Sequence, residues 1–187
     1  NMNTNKFDLR QIVYTGLFGA LALCLPPLFH LISLGSTFLP LFLPIAIAAY
    51  LIELRYTIII CVLVPIISFA FTGMPPLIVP PIGIIMIFEL AVMTAFINLF
   101  YNKLKLNIFI TSFCSTLISR VFYLIILYFV AEMLGLPKMT FTFIASVKPI
   151  PGIILLISFV PSIVSVLEKK KFAAHSNPAN ILPPEST

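Results

Sequence analysis

Charge is what this sequence has least of. Only 9% of its 187 residues are Asp, Glu, Lys or Arg, where a soluble domain carries about a quarter. Histidine is confined to His30 and His175, and cysteine to Cys24, Cys61 and Cys114. Each shortage excludes a class of chemistry. The cysteines stand in three separate apolar stretches without metal-ligand spacing, so they read as small packing residues and no metal site is expected. There is no G-x-x-x-x-G-K-[ST] phosphate loop, which excludes ATP hydrolysis by that route, and no H-E-x-x-H or G-x-S-x-G motif. The interior ionisable groups reduce to Glu89 and Arg120, with His30 and Glu132 near an edge. That inventory of acids and bases is too small for catalysis within a bilayer. The expectation is a non-catalytic chain with no cofactor.

What is present is apolar surface. Hydrophobic residues make up 60% of the chain, and its mean hydropathy is +1.15. Apolar stretches approaching the roughly 20 residues needed to cross a bilayer recur along it, which predicts an all-α membrane protein. The reading is six transmembrane helices, at 9–32, 37–52, 56–71, 82–101, 107–134 and 146–167. The second and third are short and are separated only by the polar knot Glu53-Leu54-Arg55, so they form a hairpin with a tight turn. Pro40 and Pro44 fall near the start of the second, where missing backbone donors are best tolerated. The run Leu21-Ala22-Leu23-Cys24 has the outline of a lipoprotein cleavage box. Leu23 is too bulky before the cysteine, however, and the apolar run continues, so the first span is read as retained. Residues 1–171 form one membrane domain. Residues 172–187, rich in Pro, Ala, Ser and Asn, read as a disordered cytoplasmic tail.

An even number of spans puts both termini on one side. Lys6, Arg10, Arg55, Lys103, Lys105, Lys169, Lys170 and Lys171 then share that side, against Lys138 and Lys148 on the other. Basic residues concentrate in cytoplasmic loops, so both termini are expected in the cytoplasm. The net charge of +5 therefore reports topology and gives no support to nucleic-acid binding.

Glu89 and Arg120 are the charges set well inside spans. An intramembrane charge costs at least ~2.5–3.5 kcal/mol on insertion scales, so each needs a partner or a wet cavity. Two compatible readings stand: a structural salt bridge between the fourth and fifth spans, or a pair of groups facing a substrate cavity. Ser112, Ser115, Thr116, Ser119, Arg120 and Tyr123 recur at spacings of three and four, which puts them on one helix face, opposite Phe113, Leu117, Val121 and Leu124. Such a polar stripe turns from lipid toward neighbouring helices or toward a cavity. Between the third and fourth spans, Thr72-Gly73-Met74-Pro75-Pro76-Leu77-Ile78-Val79-Pro80-Pro81 is too proline-rich for helix and too apolar for a loop in water. It is expected to fold back and cover something. His30 reads as an interfacial or capping residue, or as a ligand contact. Gly16 and Ala20 form a small-xxx-small pair that serves either packing within the chain or docking of another protein.

Several of these stretches together resemble the substrate-binding S components of bacterial energy-coupling factor (ECF) vitamin transporters. They are Phe38-Leu39-Pro40 through Glu53, Thr72-Gly73-Met74-Pro75-Pro76, Phe88-Glu89-Leu90, and Pro151-Gly152-Ile153 through Val160-Pro161 to Glu168-Lys169. The resemblance covers the whole membrane domain. It implies a subunit of the bacterial cytoplasmic membrane, surrounded by lipid, that captures a vitamin or vitamin precursor from outside. Capture uses the outer halves of the later helices and the outer loops, which in this chain means Glu89, Arg120, Tyr123, Met74, His30 and Lys148. It also implies a partner T subunit carrying two ATPases, docked through small residues four apart on the first helix. Gly16 and Ala20 match that spacing, with Gly where Ala is typical. The competing readings are a structural six-span protein of cell-wall assembly, in which Glu89 and Arg120 simply pair, and a small lipid-acting enzyme.

Overall fold

The computed structural model describes residues 9–31, 39–73, 75–76, 81–135 and 138–175. Among the described residues there is no strand. The helices are α1 (Leu9–Leu31), α2 (Phe42–Leu51), α3 (Leu54–Thr72), α4 (Ile82–Ile97), α5 (Ile108–Met133), α6 (Lys138–Val147) and α7 (Ile150–His175). A π-helical segment, Asn98–Lys103, prolongs α4. Among the described residues, five apolar segments are long enough to cross a membrane: Leu9–Phe29, Leu54–Thr72, Ile82–Lys103, Ile108–Met133 and Thr142–Lys169. The architecture is that of an α-helical, multi-pass membrane protein.

The expected second span differs from the other five. Its helix has ten residues, about 15 Å at 1.5 Å per residue, or half of a hydrocarbon core of about 30 Å. The reason lies at its start. Leu39 has φ +49°, and the amide of Phe42 donates to the Leu39 carbonyl at 3.0 Å, so a turn holds 39–41 and the helix begins only at Phe42. At the other end Ile52 is extended (φ −121°, ψ 149°), and the chain re-enters helix at Leu54. The tight α2–α3 hairpin expected from Glu53-Leu54-Arg55 is therefore present. Gln11 Oε1 accepts from the Glu53 amide at 3.1 Å, and the exposed Arg55 and Glu53 side chains pair at 2.8 Å.

Every residue of α2 from Phe42 to Tyr50 is buried. The helix packs against α1, α3, α4 and α7, and the main hydrophobic core surrounds it. Among the described residues, the most extensive helix–helix contact joins α4 to α5. The polar stripe of α5 turns inward: Ser112, Ser115, Thr116, Ser119 and Arg120 are buried, while Phe113, Leu117 and Val121 are exposed on the outer face. Helix α7 continues through His175, beyond the expected tail boundary at residue 172, and residues 176–187 lie outside the described part.

The connectivity sorts the ends of the bundle. The start of α1, the α2–α3 hairpin, the α4–α5 link and the second half of α7 share one end, and with them Arg10, Arg55, Lys103, Lys105 and Lys169. A network of aromatic residues ties that end together. Tyr50 OH and Ser112 Oγ are hydrogen-bonded at 2.8 Å, the Tyr50 and Tyr101 rings meet edge-on at 5.1 Å, and Tyr101 OH donates to the Glu168 carboxylate.

Candidate binding cavity

At the end away from Leu9 and His175, the helices leave a cavity of about 440 Å³, within the range of small-molecule sites. Six prolines line it: Pro26, Pro27, Pro40, Pro75, Pro76 and Pro149. A proline inside a helix removes one backbone hydrogen bond and clashes with the preceding turn. Pro26 and Pro27 do so within α1. Pro40 lies in the turn before α2, and Pro75 and Pro76 follow the end of α3. These side chains give the wall a fixed outline, since the pyrrolidine ring locks φ.

Helix α3 stops at this wall through Gly73, whose φ of +70° lets its amide donate to the Phe69 carbonyl at 2.8 Å, a left-handed cap that glycine adopts without a Cβ penalty. The Gly83 amide then donates to the Pro76 carbonyl at 2.8 Å, which folds the linker back onto the first turn of α4. The expectation that this apolar linker covers something therefore holds for Pro75 and Pro76. Met74 and residues 77–80 lie outside the described residues.

The buried charges on the cavity wall are one ion pair. Arg120 Nη1 lies 2.9 Å from Glu89 Oε1, and the two side chains are 10% and 4% exposed. Both residues line the cavity, so the structural-bridge and cavity-facing readings describe the same pair. The Arg120 guanidinium also stands 4.9 Å from the centre of the Tyr123 ring, and Tyr123 lines the cavity as well. The second terminal nitrogen, Nη2, is buried and has no hydrogen-bond acceptor. An arginine carries five donors in a fixed fork, and those on Nη2 have no acceptor within the described protein.

The rest of the α5 stripe serves packing. Ser115 Oγ donates to the Thr111 carbonyl at 2.6 Å and Ser119 Oγ to the Thr116 carbonyl at 3.0 Å, each within its own helix. Ser112 bonds Tyr50 at the opposite end of the bundle. Of the six stripe residues, only Arg120 and Tyr123 reach the cavity.

Among the other expected site residues, Lys148 lines the cavity and is exposed. His30 belongs to α1, but its side chain lies outside the described part. Gly16 and Ala20 are exposed on the outer face of α1, and a Cβ on Gly16 would meet nothing within 4 Å. The small residue used for packing within the chain is the neighbouring Gly19, whose Cβ would lie 3.4 Å from Ile60 Cγ2. Sequence reasoning missed several wall residues. Ile82 and Met86 accompany Glu89 at spacings of four and three, and Ser68 and Thr72 are four apart on α3. Those spacings were legible as helix faces. That they faced a void was not.

A helical bundle with a cavity lined by a buried ion pair defines a class, the multi-pass α-helical membrane protein with a pocket between its helices. Comparison with known proteins goes no further: no family model matches the chain, and no curated protein or solved structure is similar to it.

Proposed function

We propose that the chain is the substrate-capturing subunit of an ECF-type importer of the bacterial cytoplasmic membrane, taking up a vitamin-type small molecule. The observation that carries this reading is the cavity itself. It lies at one end of the bundle, has stiff apolar walls, and holds a single buried pair of charges at its polar point. A buried ion pair is weak support for stability, since apolar residues of similar volume often serve as well. Its position on a cavity wall gives it a use in binding.

The end rich in Arg10, Arg55, Lys103, Lys105 and Lys169 faces the cytoplasm under the positive-inside rule. The cavity then opens outward, with Lys148 at its margin. The chain lacks a phosphate loop of its own, so the energy comes from two partner ATPases through a T subunit. Gly16 and Ala20, open on the outer face of α1, form the docking strip for that subunit. The alternative, a structural protein of cell-wall assembly, accounts for the pair but gives the cavity no role.

The test is native mass spectrometry of the purified chain, with identification of any small molecule released on denaturation. A vitamin-sized molecule at near one per chain supports capture. An empty chain that binds none of a vitamin panel removes the reading.

A further inference from the structure

Resting on that reading of the cavity, we infer that its occupant presents to Arg120 an uncharged end bearing one hydrogen-bond acceptor, a carbonyl oxygen or ring nitrogen, with Glu89 as a fixed counter-ion and not a ligand contact. Three observations lead there. First, the guanidinium is already neutralised, because Nη1 holds Glu89 Oε1 at 2.9 Å. A second anion at the same place would leave the buried cluster with a net negative charge, which a low-dielectric site opposes strongly. Second, Nη2 is buried and without an acceptor in a residue that is 8% exposed and lines the cavity. A buried donor left unmet is costly, and an acceptor on the occupant removes that cost. Third, the walls around the pair are mostly apolar: Phe42, Ile82, Met86 and the proline rings carry no charge, and Ser68, Thr72 and Tyr123 add only neutral hydroxyls. Lys148, the other cation lining the cavity, is exposed to solvent at its margin, where water screens it.

The chemistry at the pair is thus that of a neutral acceptor facing a charge-compensated donor. It fits an amide, ketone or aromatic nitrogen heterocycle and rejects a carboxylate or phosphate driven to the same depth. Changing the counter-ion must change the selectivity. With Gln in place of Glu89 the guanidinium keeps its uncompensated positive charge, and an anion becomes the better match.

The experiment uses the full chain in lipid nanodiscs, with empty nanodiscs as the blank. Equilibrium dialysis compares two probes of one shape, 1-naphthamide and 1-naphthoate. The unaltered chain is expected to hold the amide at least tenfold more tightly. Glu89→Gln is expected to shift the ratio at least tenfold toward the carboxylate, and Arg120→Gln to weaken amide binding. Equal or tighter binding of naphthoate by the unaltered chain overturns the inference without need of any variant, as does an unchanged ratio in a folded Glu89→Gln protein. Release from the purified chain of a cargo without an uncharged acceptor-bearing end overturns it while capture stands. If neither probe binds above the blank and no cargo is released, both readings fall together.

Discussion

Removing one partner of the Glu89–Arg120 pair strands the other as a bare charge among apolar walls. Glu89→Met or Arg120→Met alone is therefore expected to cost about 3–5 kcal/mol, whereas Glu89→Met with Arg120→Met recovers most of the loss. Thermal unfolding of the four proteins in detergent checks this as a double-mutant cycle. Additive losses would mean that the pair is not formed. The serines of α5 separate in the same way. Ser112→Ala deletes the bond to Tyr50 and should cost about 1 kcal/mol. Ser115→Ala removes only a bond to its own helix and should lie within about 0.5 kcal/mol of the parent protein. The sequence made all these residues visible as one polar stripe, because spacing of three and four reports a shared face. It could not divide the stripe into packing and cavity portions, since that division depends on what the neighbouring helices place opposite each residue.

At the scale of the element, α1 offers two faces with opposite demands. Gly19→Leu must push into Ile60 of α3 and should lower the unfolding midpoint. Gly16→Leu and Ala20→Leu meet open space, so they should leave cargo binding and folding intact and abolish transport through loss of assembly with the T subunit. Co-purification of the complex reads that outcome directly, and normal assembly would remove the docking assignment. The end of α3 gives a further case. Gly73→Ala places a Cβ on a residue with φ +70° and should cost about 1–2 kcal/mol. Helix length was the element-level property hardest to read from sequence. The apolar run around α2 satisfies a membrane-span pattern, yet the left-handed turn at Leu39 shortens the helix to ten residues. Composition reports what a segment can be buried in, and a single backbone torsion decides how much of it is helical.

For the whole molecule, the orientation rests on which end of the bundle carries the basic residues. In a background lacking Cys24, Cys61 and Cys114, Asn102→Cys should resist an impermeant thiol reagent added to whole cells, and Lys148→Cys should react. The reverse pattern would invert the protein and turn its cavity inward. The helical, multi-pass architecture was legible from hydropathy alone, because lipid forces every long apolar segment into a helix. The cavity was not, because it is set by where proline rings and a folded-back linker prevent the helices from closing on one another. The sequence identified Pro75 and Pro76 as parts of a cover, but only the fold brings Pro26, Pro27, Pro40 and Pro149 to the same space.

The enclosure of α2 has one more consequence. A helix of half length that faced lipid would force the membrane to thin around it, or would expose its ends to hydrocarbon. This one is surrounded by α1, α3, α4 and α7, so hydrophobic mismatch is felt only by the long helices outside it. The segment next to the pocket is thus insulated from the thickness of the host bilayer, and its geometry can be the same in thin and thick membranes.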